Sequence, residues 1–363
     1  MRSIVVASVL ALIASPSLAG VALDACALRA ASMFEPGYEA IGSRDVVDPG
    51  IAITLCEKAN RQEPGPEAAA WLANSYYAAG RYSDALPLAR DAAAKGSALA
   101  MFIAADILIS GLAGDKNVDA GLPLLRQSAE AGFAPAENNL GYAYEIGEGV
   151  PLDPDMAMEW YLKAAERGHG TAQSNAGIHY RDGLGSLEVD YGTAVEWFMK
   201  SAEHGDAGGQ DALGYAYDVG EGVPQDAEKA FYYYGLAAAQ GDANAEGNLA
   251  YAYHMGNGTE QDYAKAMELY MQADAGGATW VASYIGNMYL DGDGVPQNIA
   301  EAKIWIDKGV EAGDYHANYL MGRLYEEGLG VPVDVEAAIE WYKKAAELDS
   351  EEAKDALARL KAE

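Results

Sequence analysis

The chain has 363 residues, half of them hydrophobic, with 55 Asp and Glu against 24 Lys and Arg and a formal net charge of −31. Such a surface repels phosphate backbones and anionic headgroups, which argues against nucleic acid or a membrane surface as partner and favours a basic protein or a loosely held divalent cation. Heavy use of Ala, Gly and Tyr with only 5 Phe suits small, close-packed helices better than a β-sandwich, in two or three ordinary domains or one long array.

Residues 1–19 read as a secretory signal. Arg2 supplies the positive start, an apolar run extends from Ile4 to Ala14, and Ser17-Leu18-Ala19 is a small-x-small cleavage site before Gly20. The run is too short to anchor the mature chain across a bilayer. A periplasmic or secreted protein, with no membrane insertion once the signal is removed, is therefore expected. Leu23-Asp24-Ala25-Cys26 is a poor lipoprotein box, since Asp24 stands where a small or apolar residue belongs. Residues 20–65 are expected to form an N-terminal helical segment. It holds both cysteines, Cys26 and Cys56. In an exported protein an isolated pair is most simply a disulfide, and closing that loop would stabilise by roughly 3–4 kcal/mol. A redox pair would want C-x-x-C spacing.

From there the chain repeats itself. A small residue recurs at Gly141, Gly177, Gly214, Ala250, Gly286 and Gly322, with spacings of 36, 37, 36, 36 and 36. Three residues later stands Tyr144, Tyr180, Tyr217, Tyr253, Tyr289 or Tyr325, and then a G-x-G pair, from Gly147/Gly149 to Gly328/Gly330. Weaker copies precede these at Ala105 and Ala73. Each unit reads as two helices. The G-x-G closes the first helix, because glycine tolerates the left-handed conformation. Asp153, Asp190, Asp226, Asp262, Asn298 and Asp334 then cap the second. The second helix carries Trp160-Tyr161, Trp197-Phe198, Tyr233-Tyr234, Leu269-Tyr270, Trp305-Ile306 or Trp341-Tyr342, a pair expected in the core together with the first-helix tyrosines. Residues 350–363 are predicted to cap the array with a helix from Glu351 to about Lys361, apolar along Ala353, Leu357 and Leu360 and wet at Arg359. The glycine pairs are turns: they lack the third glycine of a dinucleotide fingerprint and the Gly-Lys-Ser/Thr of a P-loop. Asp291-Gly292-Asp293-Gly294 looks most like a calcium loop but meets Val295-Pro296 where an EF-hand needs a ligand and a glycine.

The stretches "LGYAYEIGEGVPLDPDMAMEWYLKAAERG" and "MGRLYEEGLGVPVDVEAAIEWYKKAAE" resemble the SEL-one-like repeat (SLR) family nearly position by position. The resemblance covers about residues 97–349, an array of about seven units. Residues 66–96 resemble a tetratricopeptide unit. Departures are local: Ala250 replaces the glycine, Thr259 the valine, and Ser186-Leu187-Glu188 lengthens one loop. The resemblance implies an all-α, right-handed solenoid of helix-turn-helix repeats whose first helices line a concave groove. It also implies an adaptor in protein complexes, linked in exported bacterial members to envelope signalling, cell-wall turnover or host contact. Cysteine-rich exported members, associated with β-lactam or peptidoglycan chemistry, carry a disulfide in each repeat. This chain does not, so hydrolysis stays the alternative.

Partner-binding candidates are first-helix positions that the core period leaves out. The column just after the small residue holds Tyr142, Ile178, Tyr215, Tyr251, Asn287 and Arg323. A turn before come Asn138 and Asp211, and just beyond the core tyrosine come Glu145, Arg181, Asp218 and His254. Tyrosines among carboxylates suit a protein or peptide segment with basic or polar groups. The five histidines form no H-E-x-x-H, and neither G-x-S-x-G nor S-x-x-K occurs, so no catalytic, cofactor or metal residues are assigned and a monomeric, non-enzymatic scaffold is expected.

Overall fold

The computed structural model describes residues 18–35, 46 and 48–362. The expected signal therefore lies almost wholly outside the described residues. Among those residues all extended regular structure is helical, as the repeat pattern predicts. The chain divides into two compact units, residues 1–189 and 190–363.

The first unit holds α1 (Leu18–Ala30), α2 (Pro49–Gln62), α3 (Pro66–Ala78), α4 (Tyr82–Ala93), α5 (Ala98–Ser110), α6 (Val118–Glu130), α7 (Ala134–Ile146), α8 (Pro154–Glu166) and α9 (Gly170–Asp182). Cys26 on α1 and Cys56 on α2 are bonded, with their Cα atoms 4.8 Å apart. Both are buried, and the Ser75 hydroxyl on α3 lies 3.7 Å from Cys56 Sγ, so the bridge sits inside the packing of three helices. Each helix packs on the next, and α3 also touches α5, the neighbour-only contact scheme of a solenoid.

The second unit holds α10 (Tyr191–Glu203), α11 (Ala207–Val219), α12 (Ala227–Ala238), α13 (Ala243–Met255), α14 (Tyr263–Ala275), α15 (Ala282–Asp291), α16 (Ile299–Glu311), α17 (Tyr315–Glu327), α18 (Val335–Glu347) and α19 (Glu351–Ala362). A 3-10 turn, Thr279–Val281, precedes the shortened α15.

The capping column starts the second helices as expected. Asp153, Asp190, Asp226, Asp262, Asn298 and Asp334 each accept the backbone N–H three residues on, at 2.9 to 3.2 Å. Their own N–H groups close the loop: those of Asp153, Asp226, Asp262, Asn298 and Asp334 donate to the carbonyls of Tyr144, Tyr217, Tyr253, Tyr289 and Tyr325. The second glycine of each pair does more than turn. Gly222 has φ +73°, and a Cβ there would lie 2.2 Å from the Tyr191 carbonyl oxygen, so the loop is pressed against the start of the preceding second helix.

The core lies between the two helices of each repeat. A Cβ on Gly141 would meet the Tyr161 ring at 2.8 Å; Gly214 and Tyr234, and Gly322 and Tyr342, repeat the arrangement. At these positions the missing Cβ lets the second aromatic of the pair pack directly on the first helix, and Gly286 does the same for Ile306. The expectation that both members of the pair are core is corrected here. Tyr161, Phe198, Tyr234, Tyr270, Ile306 and Tyr342 are buried, but Trp160, Trp197, Trp305 and Trp341 are only half-buried. The first-helix tyrosines are likewise half-buried, Tyr217 excepted. They cover the core's edge, because position +3 lies roughly 60° round the helix from position 0, at the margin of the buried face. In α19, Ala353 and Ala356 are buried against Tyr342, and Leu357 and Leu360 pack partly, so the closing stripe lies as expected. Arg359 is not simply wet: its guanidinium holds both oxygens of Glu326, at 2.5 and 3.0 Å.

Candidate functional site

Tyr142 and Tyr215 occupy one column of the first helices, on α7 and α11, and are 52% and 41% exposed. Such exposure of a large ring on a packed scaffold is what a contact residue needs. Tyr142 lines a cavity of about 200 Å³ with Asp106, Ser110, Asn139 and Glu148, along the C-terminal half of α5, the middle of α7 and the turn after α7. Tyr251 is half-buried, with its ring 5.5 Å from that of Tyr284 and steeply inclined to it. Burial, then the charges of Asp218 and Glu352, raise its hydroxyl above the usual value.

Several other candidates already have partners inside the fold. Asn138 is buried and accepts a hydrogen bond from Asn175 Nδ2 at 3.2 Å; Asp211 accepts one from Asn248 Nδ2 at 2.9 Å. These bonds join one repeat to the next. Arg181 lies against Asp182, at 2.6 and 3.0 Å. Arg323 reaches Glu327, Asn287 and Asp291 at 3.2 to 3.4 Å.

The column of Glu145, Asp218 and His254 follows a rule that its residue types alone conceal. The buried Tyr161 hydroxyl donates to Glu145, and that of Tyr342 to Glu326 at 2.7 Å. The Tyr270 hydroxyl lies 3.5 Å from His254 Nδ1, and Asp218 lies near enough to the Tyr234 hydroxyl for each to perturb the other's titration. Where the second helix offers no hydroxyl, at Phe198 and Ile306, the column holds Arg181 and Leu290 instead of an acceptor. A buried hydroxyl without a partner costs roughly 1–3 kcal/mol, and this column prevents that cost. Glu145, Asp218 and His254 are thus tied to the core first.

The electrostatics agree. The His179 imidazole, 1% exposed with Nε2 3.8 Å from Glu145, and then the Tyr161 hydroxyl hold the Glu145 carboxyl below its usual range. Burial raises Asp218, against the pull of the Tyr234 hydroxyl. Burial also lowers His254, against the pull of Asp293 and Asp291.

The sequence reading missed a cluster of rings in the second unit. Tyr284 stacks between Tyr270, at 5.6 Å, and His316, at 5.3 Å, and Trp280 meets it edge-on at 5.8 Å. His316 continues to Tyr319 at 6.0 Å, and Tyr319 to Tyr342 at 5.7 Å. In the first unit a recess of about 590 Å³ is lined by Phe34, Tyr77, Phe102, Phe133, His169 and neighbours. Among the described residues no group of three His, Cys, Asp or Glu side chains is placed to hold a metal ion, and no helix is long and apolar enough to cross a membrane.

Six stretches, residues 134–169, 170–206, 207–242, 243–273, 282–314 and 316–350, match the Sel1 repeat, together more than half of the chain. The chain belongs to the Sel1 repeat family. It is similar to the structure of c5321, a protective antigen present in uropathogenic Escherichia coli strains displaying an SLR fold. That match has 33% identity and a TM-score of 0.57, over 76% of this chain and 59% of that one. The Sel1 repeat protein from Oxalobacter formigenes matches at 25% identity and a TM-score of 0.53, over 76% of this chain and 96% of that one. A putative sel1-like repeat-containing protein, L21, of Acanthamoeba polyphaga mimivirus is 36% identical over 58 residues, which are 16% of this chain and 11% of the viral one. The chain thus spans less than two thirds of c5321 and of the viral relative. The repeat family is typically a non-catalytic scaffold for protein interaction, and this chain shares its stacked helix-pair fold.

Proposed function

We propose that this Sel1 repeat protein is an exported scaffold, periplasmic or secreted, which binds a protein partner through the inner faces of its first helices. It would serve as an adaptor or regulator in envelope signalling, cell-wall or virulence-related processes. The observation that carries the reading is the exposure of Tyr142 and Tyr215. They share one repeat column, the core leaves their rings exposed, and acid lies close by: Glu148 lines the same cavity as Tyr142, and Asp211, Asp218 and Tyr215 all act on the Tyr234 hydroxyl. Tyrosine offers contact area and a hydrogen bond at low entropic cost, and a negative field speeds the approach of a basic segment.

Photo-crosslinking tests this directly. Benzoyl-phenylalanine at position 142 or 215 should give adducts with a defined envelope protein, and the same group at Ile304, 60% exposed on a second helix, should not. Tyr142→Ala and Tyr215→Ala should each weaken that complex by about 1–2 kcal/mol. Adducts from position 304 alone would place the contact on the opposite faces and defeat the reading. Release of residues 1–19 on export, read by mass spectrometry, tests the location; a retained leader in a cytoplasmic fraction would contradict it.

A further inference from the structure

The second helices supply their tryptophans with resident cations. Lys163 Nζ lies 3.7 Å from the Trp160 ring centre, Lys200 3.9 Å from Trp197, Lys308 4.9 Å from Trp305 and Lys344 3.7 Å from Trp341. The ring cluster on the first helices of the second unit is different. Among the described residues, no lysine or arginine lies over Tyr251, Trp280, Tyr284 or Tyr315.

The rings are held firmly. Tyr251 and Trp280 stand at 75° and 89° to Tyr284, and Tyr315 at 71° to His316. Trp280 Nε1 donates to Asn244 Oδ1 at 3.2 Å, and the indole covers Gly247, where a Cβ would come within 2.5 Å of it. Tyr315 keeps 43% of its surface in solvent.

Acid lies within electrostatic reach of these rings. Glu352, exposed at the start of α19, acts on Tyr251, Tyr284, Tyr315 and His316 together, and Asp314, the cap of α17, acts on Tyr284, Tyr315 and His316. Burial holds His316 below its usual value, which favours the uncharged imidazole. The nearby cation, Arg323, is engaged by Asp291 and Glu327. Aromatic faces and an exposed carboxylate, which accepts from the Ser350 hydroxyl at 3.0 Å and, like the rings, has no cation among the described residues seated on it, complement a guanidinium. That group stacks on rings and pairs with carboxylates through its planar fork.

We propose that the cluster of Tyr251, Trp280, Tyr284 and Tyr315, with Glu352 at its edge, is the seat for an arginine side chain presented by a basic partner segment. It rests on the protein-binding reading and adds the chemistry of the occupant.

The probe is an acetylated, amidated peptide with three arginines separated by Gly-Ser, titrated into the full chain at low salt by calorimetry. A citrulline version keeps the shape and removes the charge. The arginine peptide should bind, and the citrulline peptide should bind at least about tenfold more weakly. Tyr315→Ala and Glu352→Gln should each weaken the arginine peptide about threefold, and Tyr315→Phe, which keeps the ring, should not. Glu336→Gln, an exposed acid on α18, should leave binding unchanged. Equal losses for Glu336→Gln and Glu352→Gln would mean attraction to bulk charge and would overturn the proposal. So would undiminished citrulline binding. Binding of chitotetraose that is lost in Tyr315→Ala, with no arginine-peptide binding, would make the cluster a glycan platform instead. Failure of the protein-binding reading has a separate signature: no crosslinks from positions 142 and 215, whatever the peptide does.

Discussion

Tyr342 and Glu326 give the cleanest test of the hydroxyl–acceptor rule. Tyr342 is 1% exposed, and its hydroxyl donates to Glu326 Oε2 at 2.7 Å, while Arg359 holds the same carboxylate. One repeat earlier the corresponding residues are Ile306 and Leu290, so the fold has a native version with neither group. Glu326→Leu leaves a buried hydroxyl without its acceptor, a cost of about 1–3 kcal/mol. It also removes a half-exposed ion pair to Arg359, a loss of about 0–1 kcal/mol. Tyr342→Phe gives up one hydrogen bond, about 1 kcal/mol, because Glu326 keeps Arg359. The double variant has no orphaned group. It should cost no more than Glu326→Leu alone, which makes the coupling about 1–2 kcal/mol; the Arg359 contribution cancels in the cycle. Amide hydrogen exchange across α17 and α18 is the suitable assay, since it reads local opening where a stack of repeats need not melt in one step. Additive losses, within about 0.5 kcal/mol, would refute the rule.

Two further outcomes follow from burial and covalent constraint. Cys26→Ser with Cys56→Ser should lower the opening free energy of α1 to α3 by about 3–4 kcal/mol and leave exchange in α11 to α18 unaltered; a uniform change along the chain would contradict neighbour-only packing. His254 and His316 are both held below 6.5 by burial. Asp293 and Asp291 oppose the shift at His254; Asp314 and Glu352 oppose it at His316, where Arg323 and His254 reinforce it. With the folded values depressed, the unfolded chain takes up protons first. Their contribution to stability is then complete above pH 6.5 and is lost as pH falls through the folded values. Thermal melts of the chain should shift downward on acidification, in step with the histidine signals followed by NMR. Two imidazoles titrating at or above 6.5 would refute this.

The helices and their caps were legible because each rests on one local requirement repeated along the array: a small residue under a large apolar side chain, a glycine at positive φ, a side-chain oxygen accepting an N–H. Position +4 was read as a recognition column because its chemistry varies, and the structure adds a role inside the fold that the sequence column alone conceals. Glu145, Asp218 and His254 differ from Arg181 and Leu290 because each answers the residue sixteen or seventeen positions later, a hydroxyl in some repeats and none in others. Reading the two columns together, rather than each alone, finds this in the sequence. The ring cluster could not be found that way. Trp280 sits on a 3-10 turn, Tyr284 and His316 occupy different positions of successive repeats, and Tyr315 begins a helix, so only stacking brings them together. The same test sharpens the tyrosine column. Asn287 and Arg323 belong to it by position but are bonded to each other at 3.4 Å, and Tyr251 leans on Tyr284. Tyr142 and Tyr215 have no such internal use for their exposed rings. In a solenoid a lone residue is a candidate for recognition only after its neighbours within and between repeats have been accounted for; within the tyrosine column Tyr142 and Tyr215 remain on their own, whereas Tyr251 counts only as a member of the ring cluster it packs into.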